Sequence, residues 1–191
     1  HGKVVNDGGD FVAVQGARAF VPGHEADLVL VCAGARSAAL VAPAGMSAPL
    51  IAERGYHIRW DAGCWPADLP PLVFEDRSMI VTRYATELQA ASFVEFGSPD
   101  APPDPRKWAR LEAHVAALAL PVTGPFTRWM GARPTLPDYL PAIGRSAEVP
   151  NLIYAFGHQH LGLTLAAITA ELVAGLVAGD SPPVPLKPFD L

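Results

Sequence analysis

The sequence predicts a mixed chain, α+β with an α/β part, in which a buried parallel strand and a closing strand-and-helix unit flank an antiparallel meander. Three stretches carry that expectation. Ala26 to Gly34 (ADLVLVCAG) has an unbroken apolar core from Leu28 to Cys32, the pattern of a strand covered on both faces. From Gly55 to Phe96, short strand candidates alternate with turns such as EDRS and ATE, as in a meander. From Asn151 to Gly179 an apolar strand, a glycine-bounded loop and a long apolar helix follow one another.

Taken in order, Phe11 to Val14 and Ala17 to Val21 read as a small hairpin on an edge, after the turn residues Asn6 to Gly9. The strand through Leu28 ends in Ala33 and Gly34, small residues that permit close approach of a ligand or backbone. Tyr56 to Trp60, Leu72 to Glu75, Met79 to Tyr84 and Leu88 to Phe96 form the meander. The segment Ser98 to Pro105 (SPDAPPDP) is a stiff turn into a helix, with Asp104 as cap and Pro105 at the first position. Trp108, Leu111, Val115 and Leu118 mark the helix's packed face; Arg106, Lys107, Arg110, Glu112 and His114 mark its solvated side. The chain then returns through Pro121 to a proline-stiffened turn holding Arg133. Asn151 to Phe156 is the closing strand, and Gly157 stops it. Gly162 to Gly179 is apolar nearly all round, which predicts a buried helix with Gly179 as its C-cap.

Half of the 191 residues are hydrophobic and 17% are charged, enough apolar material for a sizeable core. A net charge of −5 and no basic patch argue against nucleic acid as a partner. No unbroken apolar run of about 18 residues suggests a membrane span, so a cytoplasmic chain is expected, with peripheral contact at an inner membrane left open. The two cysteines, Cys32 within the strand and Cys64 in a loop, form no disulfide framework, and reduced thiols are expected. Six scattered histidines give no metal site, because His158 and His160 lack a third ligand nearby.

Two features carry chemistry. Arg133 offers a permanently charged fork suited to a carboxylate, the alternative being a salt bridge to Asp138. The loop after Phe156, leading into a helix, presents unpaired N–H groups and a positive dipole end to an anionic or carbonyl-rich ligand; a plain connection is the alternative.

The patterns W-x-G-x-R-P-T-x-P-D-x-x-P-x-I-G (Trp129 to Gly144) and A-F-G-H-x-H-L-G-L-T (Ala155 to Thr164) resemble the C-terminal part of the FAD-dependent amine oxidoreductases. That family includes D-amino-acid oxidase, glycine oxidase and bacterial D-amino-acid dehydrogenase. The resemblance extends to Leu28 to Leu40 and Arg54 to Trp60. It implies part of an FAD-binding Rossmann-like domain (1–53 and 129–191) and an antiparallel-sheet substrate domain with one helix (54–128). Arg133 then matches the arginine that binds the substrate carboxylate, with Tyr56 and His160 as further substrate candidates. Gly157, His158, Gln159, His160, Leu161, Gly162, Leu163 and Thr164 match the loop on the flavin's pyrimidine side, and Ala33, Gly34 and Ala35 the turn beside FAD. No side chain is singled out as a general base.

The family's dinucleotide fingerprint, a strand followed by G-x-G-x-x-G, is absent from this sequence. The expectation is therefore the C-terminal half of a flavoenzyme acting on a D-amino acid, with FAD bound weakly or not at all by this chain alone. Its expected partners are the nucleotide-binding half, a quinone or respiratory-chain acceptor and a second copy of itself. A non-catalytic interaction domain, or an oxidase of glycine, sarcosine or D-proline derivatives, are the alternatives.

Overall fold

The structure is a computed structural model. It describes residues 13–15, 18–21, 24–63 and 65–191, with side chains at 26–63, 65–122 and 124–191. The chain divides into two compact units: residues 1–50 with 134–191, and residues 51–133.

In the first unit, β1 (Ala13–Gln15), β2 (Arg18–Val21) and β3 (His24–Ala26) make a small antiparallel sheet. The first two are the expected hairpin, Phe11 lies outside the described residues, and β3 has too little apolar alternation to be read from sequence. A second sheet has the order β10 (Ala142–Arg145), β11 (Leu152–Phe156), β4 (Val29–Val31). β4 and β11 run parallel, Val29 to Val31 facing Leu152 to Tyr154. The apolar run around β4 is covered on one face only. Val29 and Val31 are buried but Leu30 is 40% exposed, and Cys32 lies beyond the strand and is exposed. Cys64 falls outside the described residues. The core of this unit gathers Val31, Val41, Leu136, Leu152, Tyr154 and Phe156. After β4 come a 3-10 turn (Gly34–Arg36) and the short helix α1 (Ser37–Val41).

The closing helix α3 (Gly162–Ala178) ends on Gly179 at φ +79, the left-handed C-cap expected. It is not a buried helix. Among its residues only Leu172 is buried, while Leu163 is 96% and Val177 53% exposed. Apolar periodicity says which positions seek a partner, and here most lack one within the described residues.

The second unit is a five-stranded antiparallel sheet of order β6-β7-β8-β5-β9, built from β5 (Ile51–Asp61), β6 (Leu72–Phe74), β7 (Met79–Arg83), β8 (Glu87–Gly97) and β9 (Thr123–Thr135). Helix α2 (Pro105–Ala117) starts with the Asp104 carboxylate accepting from the Arg106 N–H at 3.0 Å. Its Leu111 and Val115 are fully buried against Tyr56, Ile58 and Trp60, the even-numbered face of β5. His114, expected on the solvated side, is 8% exposed. Its ring stacks near Phe93 at 6.4 Å, so one α2 position reads as polar yet packs inward.

Arg133 lies in β9 rather than in a turn, and the sheet unit extends to it instead of ending at residue 128. β9 is an edge strand, the kind of strand that tolerates prolines such as Pro125 and Pro134.

Candidate active site

Strand alternation sets which side chains share a face. On β5 the even residues face α2, so Gly55 and His57 face the other way. On β9, Trp129, Gly131 and Arg133 form one row. A Cβ at Gly55 would lie 2.5 Å from both terminal nitrogens of Arg133, and a Cβ at Gly131 would run into the Trp129 ring. Two glycines thus clear space, one for the guanidinium and one for the indole. The indole stacks on His57, centroids 4.7 Å apart at 16°. Burial first, then the Arg59 charge, lowers His57 to a pKa of about 4, against an upward pull from Glu87, so this ring is neutral near pH 7.

Arg133 is half-buried and lines an open cleft of about 610 Å³ with Ile80, Ala91 and Val94, apolar residues of β7 and β8. Among the described residues no carboxylate forms an ion pair with it, in contrast to Arg54, Arg59, Arg106 and Arg128. Asp138, the proposed structural partner, instead accepts from the Leu140 N–H at 3.0 Å.

Tyr56 does not join Arg133. It is 2% exposed on the opposite face, where its ring meets Trp108 edge-on. Its hydroxyl donates to Glu95 at 2.8 Å and accepts from the Asp104 N–H at 2.9 Å. Adjacent strand residues point to opposite faces, which is why the pairing of Tyr56 with Arg133 fails.

In the other unit the structure does bring sequence-predicted residues together. β4 and β11 are parallel neighbours, so Ala33 to Ala35 and Gly157 to Thr164 leave the same, carboxyl end of the sheet. That end is where ligands sit in open α/β sheets. Gly34 adopts φ +57 and Gly157 φ +85; at Gly157 a Cβ would also press on Leu136 at 2.8 Å. Gln159, at φ +52, donates its N–H to Pro134 O (2.9 Å) and its amide to Tyr139 O (2.6 Å). His158 Nε2 lies 3.0 Å from Thr169 Oγ1, and burial lowers its pKa. His160 and Leu161 are exposed.

Helix α3 has no side-chain cap, and its first helical bond runs from Leu165 N to Leu161 O. The N–H groups of Gly162, Leu163 and Thr164 therefore precede the helical ladder, at the positive end of a 17-residue dipole. That donor set fits the carbonyl and nitrogen edge of a flavin. Among the described residues no three His, Cys, Asp or Glu converge as a metal site, and no helix is long and apolar enough to cross a membrane.

The chain belongs to the FAD dependent oxidoreductase family, whose model matches residues 3–176. It is 38% identical over 170 residues to a D-amino-acid oxidase of Bradyrhizobium diazoefficiens, covering 85% of this chain and 40% of that protein. A D-amino acid dehydrogenase of Mesorhizobium japonicum is 33% identical, covering 82% and 39%. Among solved structures, glycine oxidase from Geobacillus kaustophilus superposes with a TM-score of 0.73 at 25% identity, over 87% of this chain and 45% of that one. The chain thus spans about 40% of the length of those curated relatives.

Gly55, Gly131, His57 and Trp129 were missed as contributors to the Arg133 face. The signal was present in Gly55, a glycine inside a strand, which marks close approach by another group.

Proposed function

We propose that this chain is the substrate-sheet and helix-bearing part of an FAD-dependent D-amino-acid dehydrogenase. The observation that carries the reading is the half-buried Arg133, seated over Gly55 without a carboxylate partner among the described residues. A guanidinium so placed binds the substrate carboxylate by paired charge-assisted hydrogen bonds and orients the α-C–H. FAD, when bound, supplies the two-electron acceptor that takes hydride from the α-carbon. The substrate becomes an imino acid, which water hydrolyses to a 2-oxo acid and ammonia. Gly162, Leu163 and Thr164 would donate backbone N–H groups to the flavin's carbonyl edge, and Ala33 to Ala35 would border the cofactor. His160, exposed in the same loop, is proposed to contact substrate. The neutral His57 and Trp129 would wall the site.

Because the chain spans about 40% of the curated relatives' length, FAD retention is proposed to need an upstream nucleotide-binding segment. Flavin absorbance and D-amino-acid-dependent dye reduction test this in the present chain, in a chain extended upstream, and in each with Arg133→Ala. The expected result is flavin and turnover in the extended form only, with Arg133→Ala raising KM. Turnover and KM untouched by Arg133→Ala would remove the substrate assignment. The 38% identity to a D-amino-acid oxidase favours a second reading in which oxygen accepts the electrons. Oxygen uptake against quinone reduction separates the two.

A further inference from the structure

Arg133 shares its cleft with two further guanidiniums, because the cleft lies at the end of β8 that β7 leaves unpaired and is lined from both faces of the sheet, by Ala91 and Val94 on the Arg133 side and by Phe93 and His114 on the α2 side. Arg77 reaches it from the 3-10 turn Glu75–Arg77 between β6 and β7, and Arg110 from α2. Against three cations the lining holds one carboxylate, Asp76, which pairs with Arg77 at 3.4 Å and is 71% exposed. The buried His114 stands between the two: Arg77 Nη1 lies 3.3 Å from its Nδ1, and Arg110 Nε lies 3.3 Å from its Nε2. A neutral imidazole has one acceptor nitrogen and therefore satisfies one of these arginines, not both. It neutralises neither. The cleft exists because β7 begins at Met79 while β8 runs on past it. There β8 bulges, with Phe93 at φ +58 and Ser92 Oγ donating to Ser78 O at 2.7 Å. An uncompensated positive lining of this kind, within a chain of net charge −5, asks for an anion.

We propose that the cleft takes a second carboxylate, carried on the substrate's side chain, and that the substrate class is an acidic D-amino acid. Arg133 holds the α-carboxylate, and Arg77 with Arg110 holds the distal one. The proposal rests on the carboxylate role of Arg133 put forward above.

Two readouts in the upstream-extended, FAD-loaded protein test it: calorimetric binding of the unreactive acids glutarate and butyrate, and kcat/KM for D-glutamate against D-norvaline. Glutarate is expected to bind at least about ten-fold more tightly than butyrate, the scale of one additional charge-assisted contact. Because Arg110 is exposed, Arg110→Gln leaves the core intact. It should erase most of the preference for both glutarate and D-glutamate without weakening butyrate, and Arg110→Lys should retain much of it. Arg77→Gln should act in the same direction. Equal binding of the two acids by the wild-type protein, or a ratio unmoved by Arg110→Gln and Arg77→Gln, overturns the proposal. If Arg133→Gln abolishes butyrate binding while those ratios stay flat, only the side-chain pocket fails. If Arg133→Gln leaves butyrate binding unchanged, the α-carboxylate assignment fails, and this proposal falls with it.

Discussion

Gly55→Ala separates the stability of the sheet from the function of its arginine. The added Cβ would lie 2.5 Å from Nη1 and Nη2 of Arg133 and 2.6 Å from its Cζ. Comfortable carbon contacts need about 3.5–4 Å, so the guanidinium must move by roughly 1 Å. The moving group is the free end of a long side chain, and alanine is favoured over glycine inside a strand by about 0.5–1 kcal/mol. The melting temperature should therefore hold or rise slightly. A 1 Å displacement, however, breaks a two-point grip on a carboxylate. One lost hydrogen bond to a charged group is worth about 1.5–3 kcal/mol, or roughly 10- to 150-fold in KM. Steady-state dye reduction and a thermal melt on the upstream-extended, FAD-loaded protein read both quantities. A drop of several degrees with KM unchanged would refute the reasoning, showing that Gly55 serves backbone packing and not clearance.

Tyr56→Phe should leave KM within two-fold, since its hydroxyl faces away from Arg133 and bonds Glu95 and the Asp104 N–H; urea unfolding should show a loss of about 1–2 kcal/mol. Gly157→Ala should cost about 1–3 kcal/mol in the same assay, from φ +85 combined with the press on Leu136. For His57 the folded pKa of about 4 lies below the ordinary 6.5. The unfolded chain therefore takes up a proton that the folded chain refuses, and stability is full above pH 6.5 and declines as pH falls toward 4. His57→Gln should flatten that part of the stability curve, measured by urea midpoints across pH; an unchanged slope would discount the ring's burial.

The parts of this molecule legible in the sequence are those written in local signals. Asp104 and Pro105 open α2, Gly157 stops β11 and Gly179 caps α3, because each answers a backbone need within a few residues. β9 was not legible. Its sequence, TGPFTRWMGARPT, carries two prolines and two glycines, and it is a strand only because β5 offers a long partner on one side. The burial of His114 was hidden for a similar reason, since the groups that enclose it come from β8 and the Glu75–Arg77 turn. The separation of Tyr56 from Arg133 was present in outline, as Gly55 and Tyr56 are neighbours in a strand. Only the sheet order shows that β9 lies beside β5, with Arg133 over the glycine's side.

The loop from Gly157 to Leu161 is stitched at three points, through Gln159 to Pro134 and Tyr139 and through His158 to Thr169. The donors at the start of α3 are consequently oriented by folding itself, before any ligand arrives. A ligand that meets them has no segment to organise, so the ordering entropy that weakens many loop-built sites is already absent from its affinity. Loosening these stitches, by Thr169→Val or Gln159→Ala, would return that entropy to the binding step while every donor remained in the sequence.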